Sequence, residues 1–191
     1  MSDSIIRTTT KLAINITKSY IKEGDIVIDA TAGNGNDTLT LSNAVGEAGK
    51  VYAFDIQKKA IERTRKLLAE SSLFDNVVLV CDTHEKMNSY VSEKGQVSAV
   101  VFNLGYLPSG DKNINTMAES SVKAIDEALL LLKKGGIIAI VMYPGTEIGK
   151  AEADAVYDYT TALSAEKFHV CHADFPNQKS NAPQVLWIER C

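Results

Sequence analysis

The sequence predicts an α/β protein whose doubly wound, mostly parallel sheet ends in an antiparallel hairpin. Five short apolar runs, rich in β-branched residues, alternate with segments whose apolar residues recur at helical spacing. This alternation is typical of parallel strands that helices cover on both faces. Two further apolar runs near the C-terminus are separated only by residues 174–183. Because so short a connection leaves no room for a crossover helix, these two strands should pair antiparallel.

The predicted elements follow from these patterns in chain order. Seven strands are expected at residues 25–30, 50–55, 76–81, 96–102, 136–143, 167–173 and 184–189. Amphipathic helices are expected around residues 12–20, 60–68, 122–132 and 156–163. The Lys-Lys-Gly-Gly sequence at 133–136 should end the third of these helices. A doubly wound, seven-stranded sheet that ends in a hairpin is the outline of the Rossmann-like class I methyltransferase fold.

The composition excludes several classes of protein. The 191 residues are 45% hydrophobic and 23% charged, which is ordinary for a globular domain and unlike a disordered or fibrous chain. The net charge of −4 argues against a general nucleic-acid coat protein but allows an enzyme with a local basic patch. We therefore expect a single domain over residues 1–191, with an N-terminal helix within residues 1–22 that flanks the site.

The cysteines and the N-terminus bear on where the protein works. The three cysteines are an odd number without C-x-x-C spacing, which argues against a disulfide framework or a Cys-rich zinc site. A reducing compartment is therefore favoured. No signal-peptide pattern follows Met1, and the apolar run 137–143 is too short to span a bilayer. We expect a cytoplasmic protein with no membrane partner.

A glycine-containing loop follows the first predicted strand. Its sequence over residues 29–38 is DATAGNGNDT. Gly33 and Gly35 allow a ligand to approach the backbone closely, and Asn36 or Asp37 could cap the next helix. Thr38 stands where the dinucleotide-binding fingerprint has its third glycine. The glycine pattern alone is therefore weak evidence for a nucleotide site.

Two carboxylates at strand ends indicate which nucleotide the loop binds. Asp55 ends the second strand, 22 residues after Gly33, where a carboxylate can accept hydrogen bonds from ribose hydroxyls. Asp29 precedes the glycines, where it would repel a pyrophosphate but attract an amino group. S-adenosylmethionine has a ribose and an α-amino group and no phosphate. The pair therefore favours S-adenosylmethionine over NAD.

Polar residues also follow the third strand, in the sequence Asp82-Thr83-His84. Asp82 and Thr83 are placed to meet the adenine edge, and His84 could cover the ring or the ribose. The alternative is structural: Asp82 or Thr83 caps a helix and His84 is a solvated histidine.

The segment after the fourth strand is the predicted acceptor site. Asn103 ends an apolar strand, an odd place for an amide unless its polar atoms are used, and Tyr106 offers an aromatic face for a base. The pattern is similar to the Asn-Pro-Pro-Tyr segment of amino-methyltransferases, in which the Asn oxygen accepts a hydrogen bond from the target amine. Asn103 and Tyr106 are thus the candidate catalytic residues. The alternative is a simple turn, because 107–111 is rich in turn formers.

Motifs for other chemistries are missing from the sequence. His84, His169 and His172 do not have zincin spacing, and no metal site is expected. The sequence contains neither a Gly-x-Ser-x-Gly nucleophile elbow nor a Walker A lysine. Basic residues within 58–66 are expected to form a solvated helix face. Arg7, Lys11 and Lys18 are better candidates for phosphate contact, because their helix could flank the mouth of the site.

Three segments together resemble one family. They are DATAGNGNDT at 29–38, FDIQ at 54–57 and FNLGYLPSGDK at 102–112. On these motifs the chain is similar, over nearly its whole length, to the YtqB-like family of rRNA methylase-type proteins. The resemblance implies a class I fold that uses S-adenosylmethionine as its cofactor. The predicted cofactor-binding residues are Asp29, Thr31, Gly33, Asn34, Gly35, Asn36, Asp37, Thr38, Asp55, Ile56, Gln57, Asp82, Thr83, His84 and Asn103.

The family includes the methyltransferase that acts on 5-aminomethyl-2-thiouridine at the wobble position of tRNA. The resemblance therefore implies N-methylation of that aminomethyl group, with the anticodon region of tRNA as partner. A homodimer is a separate expectation. The candidate substrate contacts are Tyr106, Leu107, Asp111, Lys112 and Tyr143. Alternatives are an rRNA or small-molecule amine methyltransferase, or a non-catalytic nucleotide-binding module. Residues 8–11 and 143–149 depart from the family's pattern, and both segments are candidates for contact with the acceptor.

Overall fold

The computed structural model describes residues 8–71, 75–105, 116–179 and 181–191. Helices and strands alternate along this part of the chain. In order they are α1 (Thr9–Lys18), β1 (Ile26–Asp29), α2 (Asn36–Val45), β2 (Lys50–Phe54), α3 (Lys58–Glu70), β3 (Val77–Val80), a 3₁₀ helix (His84–Ser89), β4 (Val97–Asn103), α4 (Ala118–Leu131), β5 (Leu132–Met142), α5 (Glu147–Thr161), β6 (Phe168–Ala173) and β7 (Gln184–Arg190).

The strands form one sheet with the order β3-β2-β1-β4-β5-β7-β6. The first five in this order are parallel, whereas β7 pairs antiparallel with both β5 and β6. The predicted mostly parallel sheet with an antiparallel end is therefore confirmed. The chain leaves β1 toward β2 and β3 on one side and returns to β4 on the other. Such a switch point is where open α/β sheets bind ligands.

The core lies on both faces of the sheet. Ile28, Phe54 and Phe102 point to one face and pack with the 3₁₀ helix, α4 and α5. Val27 and Val51, which lie one and three positions before Ile28 and Phe54, point to the other face and pack with α1, α2 and α3. Because successive strand residues face opposite sides and both sides are covered, these strands are apolar throughout instead of alternating with polar residues.

Two predicted details of the fold are wrong, the start of β5 and the cap of α2. Strand β5 begins at Leu132, directly after α4, because Leu132 pairs with Val97 while Ile137 already pairs with Ala99. Residues 133–136 are therefore a bulge within the strand, with Gly135 at φ +70°, instead of a helix end before the strand. The cap of α2 also differs, because Gly35 at φ 85° occupies the N-cap and no side chain caps this helix.

Within the described ranges, none of the helices combines the length and apolar character that crossing a membrane requires.

Candidate active site

A cavity of about 780 Å³ opens at the carboxyl edge of the sheet. It has two parts, defined by the strands that carry them. The β1–β3 half is the set of cavity residues within 30–37, 55–57 and 82–84, in the loops after β1, β2 and β3. The β4–β5 half is the set of cavity residues within 8–11, 103–105, 116–120, 143–152 and 181–183.

Asp55 organises the β1–β3 half from the end of β2. Its Oδ2 accepts the Gly33 N–H at 2.9 Å, and its Oδ1 accepts the Gln57 N–H at 2.8 Å. Burial raises the pKa of Asp55, and these two backbone hydrogen bonds oppose the rise. Each carboxylate oxygen keeps a second lone pair for a ligand. Asp55 therefore lines the cavity as predicted and also holds the glycine loop in place.

Asp29 does not lie where its predicted role requires. It is fully buried and is not on the cavity wall. Its Oδ1 accepts the Thr31 N–H at 3.1 Å and its Oδ2 accepts the Thr38 hydroxyl at 2.6 Å. Burial, with the nearby charge of Asp37, raises the pKa of Asp29 to about 7. The expected direct contact between Asp29 and an amino group is thus wrong; Asp29 supports the loop from beneath.

Gly35 and Thr38 also lie behind the cavity wall instead of on it. A Cβ on Gly35 would come within 2.9 Å of the Thr64 Cα atom, so α3 packs directly on the loop at this position. Thr38 is fully buried and bonded to Asp29. Both residues therefore shape the loop, and their predicted contact with the cofactor is not what the structure shows.

His84 is buried, with 8% of its surface exposed, and lines the cavity beside β1. Its Nδ1 lies 3.1 Å from the Ala30 carbonyl oxygen, and its ring packs edge-on against Phe102. Burial lowers the pKa of His84, so the ring is neutral at pH 7. Because a carbonyl oxygen only accepts, Nδ1 carries the proton. The alternative of a solvated histidine is therefore wrong.

Asp82 and Thr83 line the cavity and have structural partners as well. Thr83 caps the 3₁₀ helix, since its hydroxyl accepts the Glu85 N–H at 3.4 Å. Asp82 accepts hydrogen bonds from the Tyr90 hydroxyl at 2.7 Å and from the Lys86 ammonium at 3.0 Å. These bonds lower the pKa of Asp82 to about 2, so it is a carboxylate at neutral pH. The two interpretations of this segment, cavity wall and helix cap, both hold for Thr83.

Asn103 stands at the end of β4, where the two halves meet. Its backbone N–H donates to the Thr31 hydroxyl at 2.7 Å, and its Nδ2 donates to Asp37 Oδ2 at 2.8 Å. An ionised carboxylate only accepts, so Asp37 fixes which way the amide group points. The remaining atom, Oδ1, is buried and has no hydrogen-bond partner among the residues that the structure describes. Asn103 therefore lies on the cavity wall with an acceptor that no described residue satisfies.

The β4–β5 half includes both segments that depart from the family's pattern. Thr10 and Lys11 lie on its wall, as do Tyr143 and several residues of the turn into α5. Thr10 hydrogen-bonds to the Tyr143 hydroxyl, and 38% of Tyr143 is exposed. A Cβ on Gly149 would lie 2.2 Å from the Tyr143 carbonyl oxygen, so only glycine allows α5 to begin so close to β5.

Comparison with known proteins identifies the family. The family described as "Putative rRNA methylase" matches residues 51–189. The tRNA (mnm(5)s(2)U34)-methyltransferase, chloroplastic, of Arabidopsis thaliana is 39% identical over 95% of this chain and 69% of its own length. The chain belongs to the rRNA methylase family.

Solved structures of similar proteins agree with this family in sequence and in shape. The crystal structure of a protein described as "putative rRNA-methylase" from Clostridium thermocellum is 43% identical to this chain in sequence. The two structures match with a TM-score of 0.94 over 97% of this chain and 98% of that chain. A methyltransferase from Streptococcus mutans, in complex with SAH, is 36% identical, with a TM-score of 0.87 over 97% and 99% of the two chains. The predicted fold and the predicted class of enzyme, an S-adenosylmethionine-dependent methyltransferase, are confirmed.

The β1–β3 half of this methylase suits S-adenosylmethionine chemically. Asp37, Asp55 and Asp82 line it, whereas none of the described residues on its wall is Lys or Arg. Such a wall attracts a cation and repels a pyrophosphate. Ile56, with 54% of its surface exposed, provides an apolar contact for a base beside these carboxylates. These side chains therefore fit a positively charged nucleoside without phosphate.

Most other predicted cofactor residues also lie on the cavity wall. They are Thr31, Gly33, Asn34, Asn36, Asp37, Asp55, Ile56, Gln57, Asp82, Thr83, His84 and Asn103. The predicted substrate contact Tyr143 is there too. Tyr106, Leu107, Asp111 and Lys112 lie outside the described residues, as does Arg7. Lys18 is exposed on α1 away from the cavity wall, whereas Lys11 lines it.

Sequence reasoning missed a buried carboxylate in the β4–β5 half. Glu152 is only 2% exposed, and burial raises its pKa. Thr116, Ser120 and Asn181 were also missed. Glu152 could have been found, because it lies four residues before the apolar Val156 and hence on the buried face of α5.

Proposed function

We propose that this methyltransferase transfers a methyl group to the primary amine of 5-aminomethyl-2-thiouridine at the wobble position of tRNA, whose anticodon region it binds. The Oδ1 of Asn103, which has no hydrogen-bond partner among the described residues, carries this proposal, because an amide oxygen can accept an N–H from a neutral amine. The 39% identity to the Arabidopsis tRNA methyltransferase supports tRNA as the substrate.

The acceptor must reach the cavity as a free amine. An alkylamine in water has a pKa of about 10.4, and only the neutral form has the lone pair that attacks a methyl group. A desolvated cavity lowers that pKa. Asn103 Oδ1 then holds one N–H, which directs the lone pair, and Tyr143 offers an aromatic edge to the base. Such positioning contributes several kcal/mol to lowering the barrier.

The residues of the β1–β3 half would hold the cofactor. When bound, S-adenosylmethionine supplies a methyl group already activated by its sulfonium. Asp55 is placed for the ribose hydroxyls, since its carboxylate is held by two backbone N–H groups. Asp82, Ile56 and His84 line the same half of the cavity and would surround the base. Asp29 contributes from behind the wall by fixing Thr31, whose hydroxyl in turn accepts from the backbone of Asn103.

Several predictions at this site stay proposals. Tyr106, Leu107, Asp111 and Lys112 are proposed to contact the modified nucleotide, on the strength of the 102–112 motif. A homodimer also stays a prediction. We infer a cytoplasmic location from the cysteines, since Cys81, Cys171 and Cys191 are all free and exposed, which suits a reducing compartment.

The test compares methyl acceptors directly. Purified protein is given isotope-labelled S-adenosylmethionine and one of four acceptors: tRNA that carries 5-aminomethyl-2-thiouridine, the same tRNA unmodified, rRNA, or a small alkylamine. We expect label only in the first, on the exocyclic nitrogen, as located by mass spectrometry of nucleosides.

Other outcomes would assign other functions. Label in rRNA or in the small amine would identify a different N-methyltransferase and reject the tRNA proposal. Cofactor binding without transfer to any cellular RNA would identify a non-catalytic binding module. Restoring the gene to a deletion strain, with the wobble nucleosides measured before and after, is the matching test in the cell.

A further inference from the structure

Glu152 is a buried carboxylate in the β4–β5 half that the proposed function does not yet use. Its Oε1 accepts the Ser121 hydroxyl at 2.6 Å, and its Oε2 accepts the Thr116 hydroxyl at 2.9 Å. None of the ion pairs among the described residues involves it. Burying a carboxylate with no cation is costly, and an apolar residue would pack α4 against α5 at lower cost. The carboxylate therefore needs an explanation other than packing.

Thr116 connects Glu152 to the backbone beyond Asn103. The Thr116 hydroxyl accepts the Gly105 N–H at 2.6 Å, and the Thr116 N–H donates to the Gly105 carbonyl oxygen at 2.9 Å. A hydroxyl has one proton and two lone pairs. Because Glu152 takes the proton, a lone pair of Thr116 is left for Gly105. At 2.9 Å the carboxylate is a nearer acceptor for this proton than the Gly105 carbonyl oxygen at 3.4 Å, and it thus fixes the direction of this chain of hydrogen bonds.

The chain of hydrogen bonds ends at Gly105, close to Asn103 in the sequence. Gly105 follows Asn103 by two residues and has φ +142°, a conformation that few other residues adopt. The intervening Leu104 is bonded to Val141 of β5. The ring of Tyr143 lies against Gly105, where a Cβ would be 3.6 Å from Tyr143 Cδ2. A shift at Gly105 would therefore reach both Asn103 and Tyr143.

We propose that Glu152 is a positioning residue for methyl transfer, which acts through Thr116 to hold Gly105 and thereby aims Asn103 at the acceptor amine. The identity of that amine rests on the proposed function, whereas the hydrogen-bonded clamp does not. The clamp requires an acceptor for the Thr116 hydroxyl and no negative charge as such. This separates it from a role in accepting a proton from the substrate.

Four substitutions test the clamp in the full-length enzyme. Glu152→Gln keeps an oxygen for Thr116, since the serine hydroxyl at 121 can turn to accept from the new amide, and Glu152→Leu keeps only the volume. Thr116→Ser keeps the hydroxyl and Thr116→Val removes it. Asp158→Leu, an exposed position on the same helix, is the matched control. The assays are kcat and KM on modified tRNA, calorimetric cofactor Kd, and amide hydrogen exchange at Gly105 by NMR.

The Leu and Val variants should lose kcat about 10- to 100-fold, the range expected when reacting groups are misplaced by about 1 Å. Their cofactor Kd should stay within about twofold. Their Gly105 amide should exchange about tenfold faster or more, because the Val variant removes its acceptor and the Leu variant leaves that acceptor, the Thr116 hydroxyl, without its anchor. The Gln and Ser variants should keep a kcat within about threefold of the wild-type value. The double variant Glu152→Leu with Thr116→Val should have a kcat no lower than that of the slower single variant.

Contrary results are equally specific. A Gln variant as slow as the Leu variant would show that the charge matters and would overturn the positioning role. A Leu variant with wild-type kcat, or with unchanged exchange at Gly105, would overturn it too. If the Glu152→Leu variant does not fold, the two Thr116 variants and the Glu152→Gln variant still test the positioning role. If the wild type leaves modified tRNA unmethylated, the proposed function fails, while hydrogen exchange still tests the clamp.

Discussion

The two halves of the cavity are built in different ways. In the β1–β3 half, the supporting hydrogen bonds join strand tips to the loops beside them, as when Asp55 accepts the N–H groups of Gly33 and Gln57. In the β4–β5 half, they join distant parts of the chain: Thr9 donates to the Pro183 carbonyl oxygen, 174 positions away, and Thr116 to Glu152, 36 positions away. The residues of the β1–β3 half thus come from one stretch of the chain, 30–84, whereas those of the β4–β5 half come from parts of the chain as far apart as residues 8 and 183.

We infer from this difference that the two halves serve different parts of the reaction, cofactor binding and acceptor binding. A local motif can bind the same cofactor in many enzymes, whereas a wall assembled from α1, α4 and α5 can change with the acceptor. The two segments that depart from the family's pattern, 8–11 and 143–149, both contribute to the assembled wall. Asn103 stands between the halves, with its Nδ2 bound to Asp37 and its Oδ1 without a partner among the residues that the structure describes.

The largest effect is expected where the halves meet. Asn103→Ala should lower kcat about 100- to 1,000-fold, the usual loss when one preorganised polar group near the reacting atoms is removed. Cofactor Kd should change by less than about threefold, because Asp55 and its backbone bonds remain. Steady-state kinetics with modified tRNA and calorimetry measure the two quantities. Asn43→Ala, on the exposed face of α2, is the control. Unchanged turnover would reject Asn103 as the catalytic residue.

The converse effect is expected from Asp55→Ala. We expect cofactor binding to weaken by about 2 kcal/mol, or about 30-fold in Kd, because hydrogen bonds to a charged group and the hold on Gly33 are both lost. At saturating cofactor, kcat should fall much less than in the Asn103 variant. Asp154→Ala removes only an exposed ion pair with Lys150 and serves as control. Equal losses in Kd and kcat would show that the halves are not separable.

Two glycines with similar backbone conformation test how tightly α3 packs on the loop after β1. Gly35 and Gly24 have nearly the same φ, 85° and 86°, but a Cβ added at Gly35 would meet Thr64 within 4 Å, whereas one added at Gly24 would meet nothing. Alanine at either position should cost about 1 kcal/mol of unfolding free energy for the left-handed conformation. Gly35→Ala should cost about 1–2 kcal/mol more, because α3 must move. Urea denaturation measures both, and equal losses would contradict the tight packing of α3 on the loop.

The smallest effect is a pH dependence of cofactor binding. The raised pKa of Asp29, about 7, leaves part of this carboxyl group protonated in the free protein at pH 7. A bound cation favours the ionised form, so binding should release protons and affinity should rise from pH 6 to 8, by about threefold. Calorimetry in buffers with different ionisation enthalpies counts the protons. Asp29→Asn should abolish much of the release; an unchanged count would assign it to other groups.

Much of the fold follows from the sequence because its signals are local. Apolar, β-branched strands and helical periodicity predicted all seven strands to within a few residues, apart from the start of β5. That start was missed because Leu132 extends the ladder across a bulge, which depends on pairing with Val97 and not on local propensity. Asp55, Asn103 and His84 were found for a similar reason, since strand ends at a switch point converge on one site.

Other parts of the site depend on burial, which a single sequence does not reveal. Asp29 belongs to the same loop as Gly33, yet its carboxylate turns inward to Thr38 and away from the cavity. In the sequence Glu152 is one more acid of an amphipathic helix, and only the fold brings it to Thr116, just before α4, and Ser121, within α4.

By itself the sequence determined the fold class, the methylase family and the chemistry of the β1–β3 half, because strand and loop patterns within a few dozen residues specify them. Only the tertiary structure decided which carboxylates line the cavity and which support its wall from behind. The physical reason is that a carboxylate's role depends on its exposure and on the donors around it, and these are set when helices distant in the chain pack together.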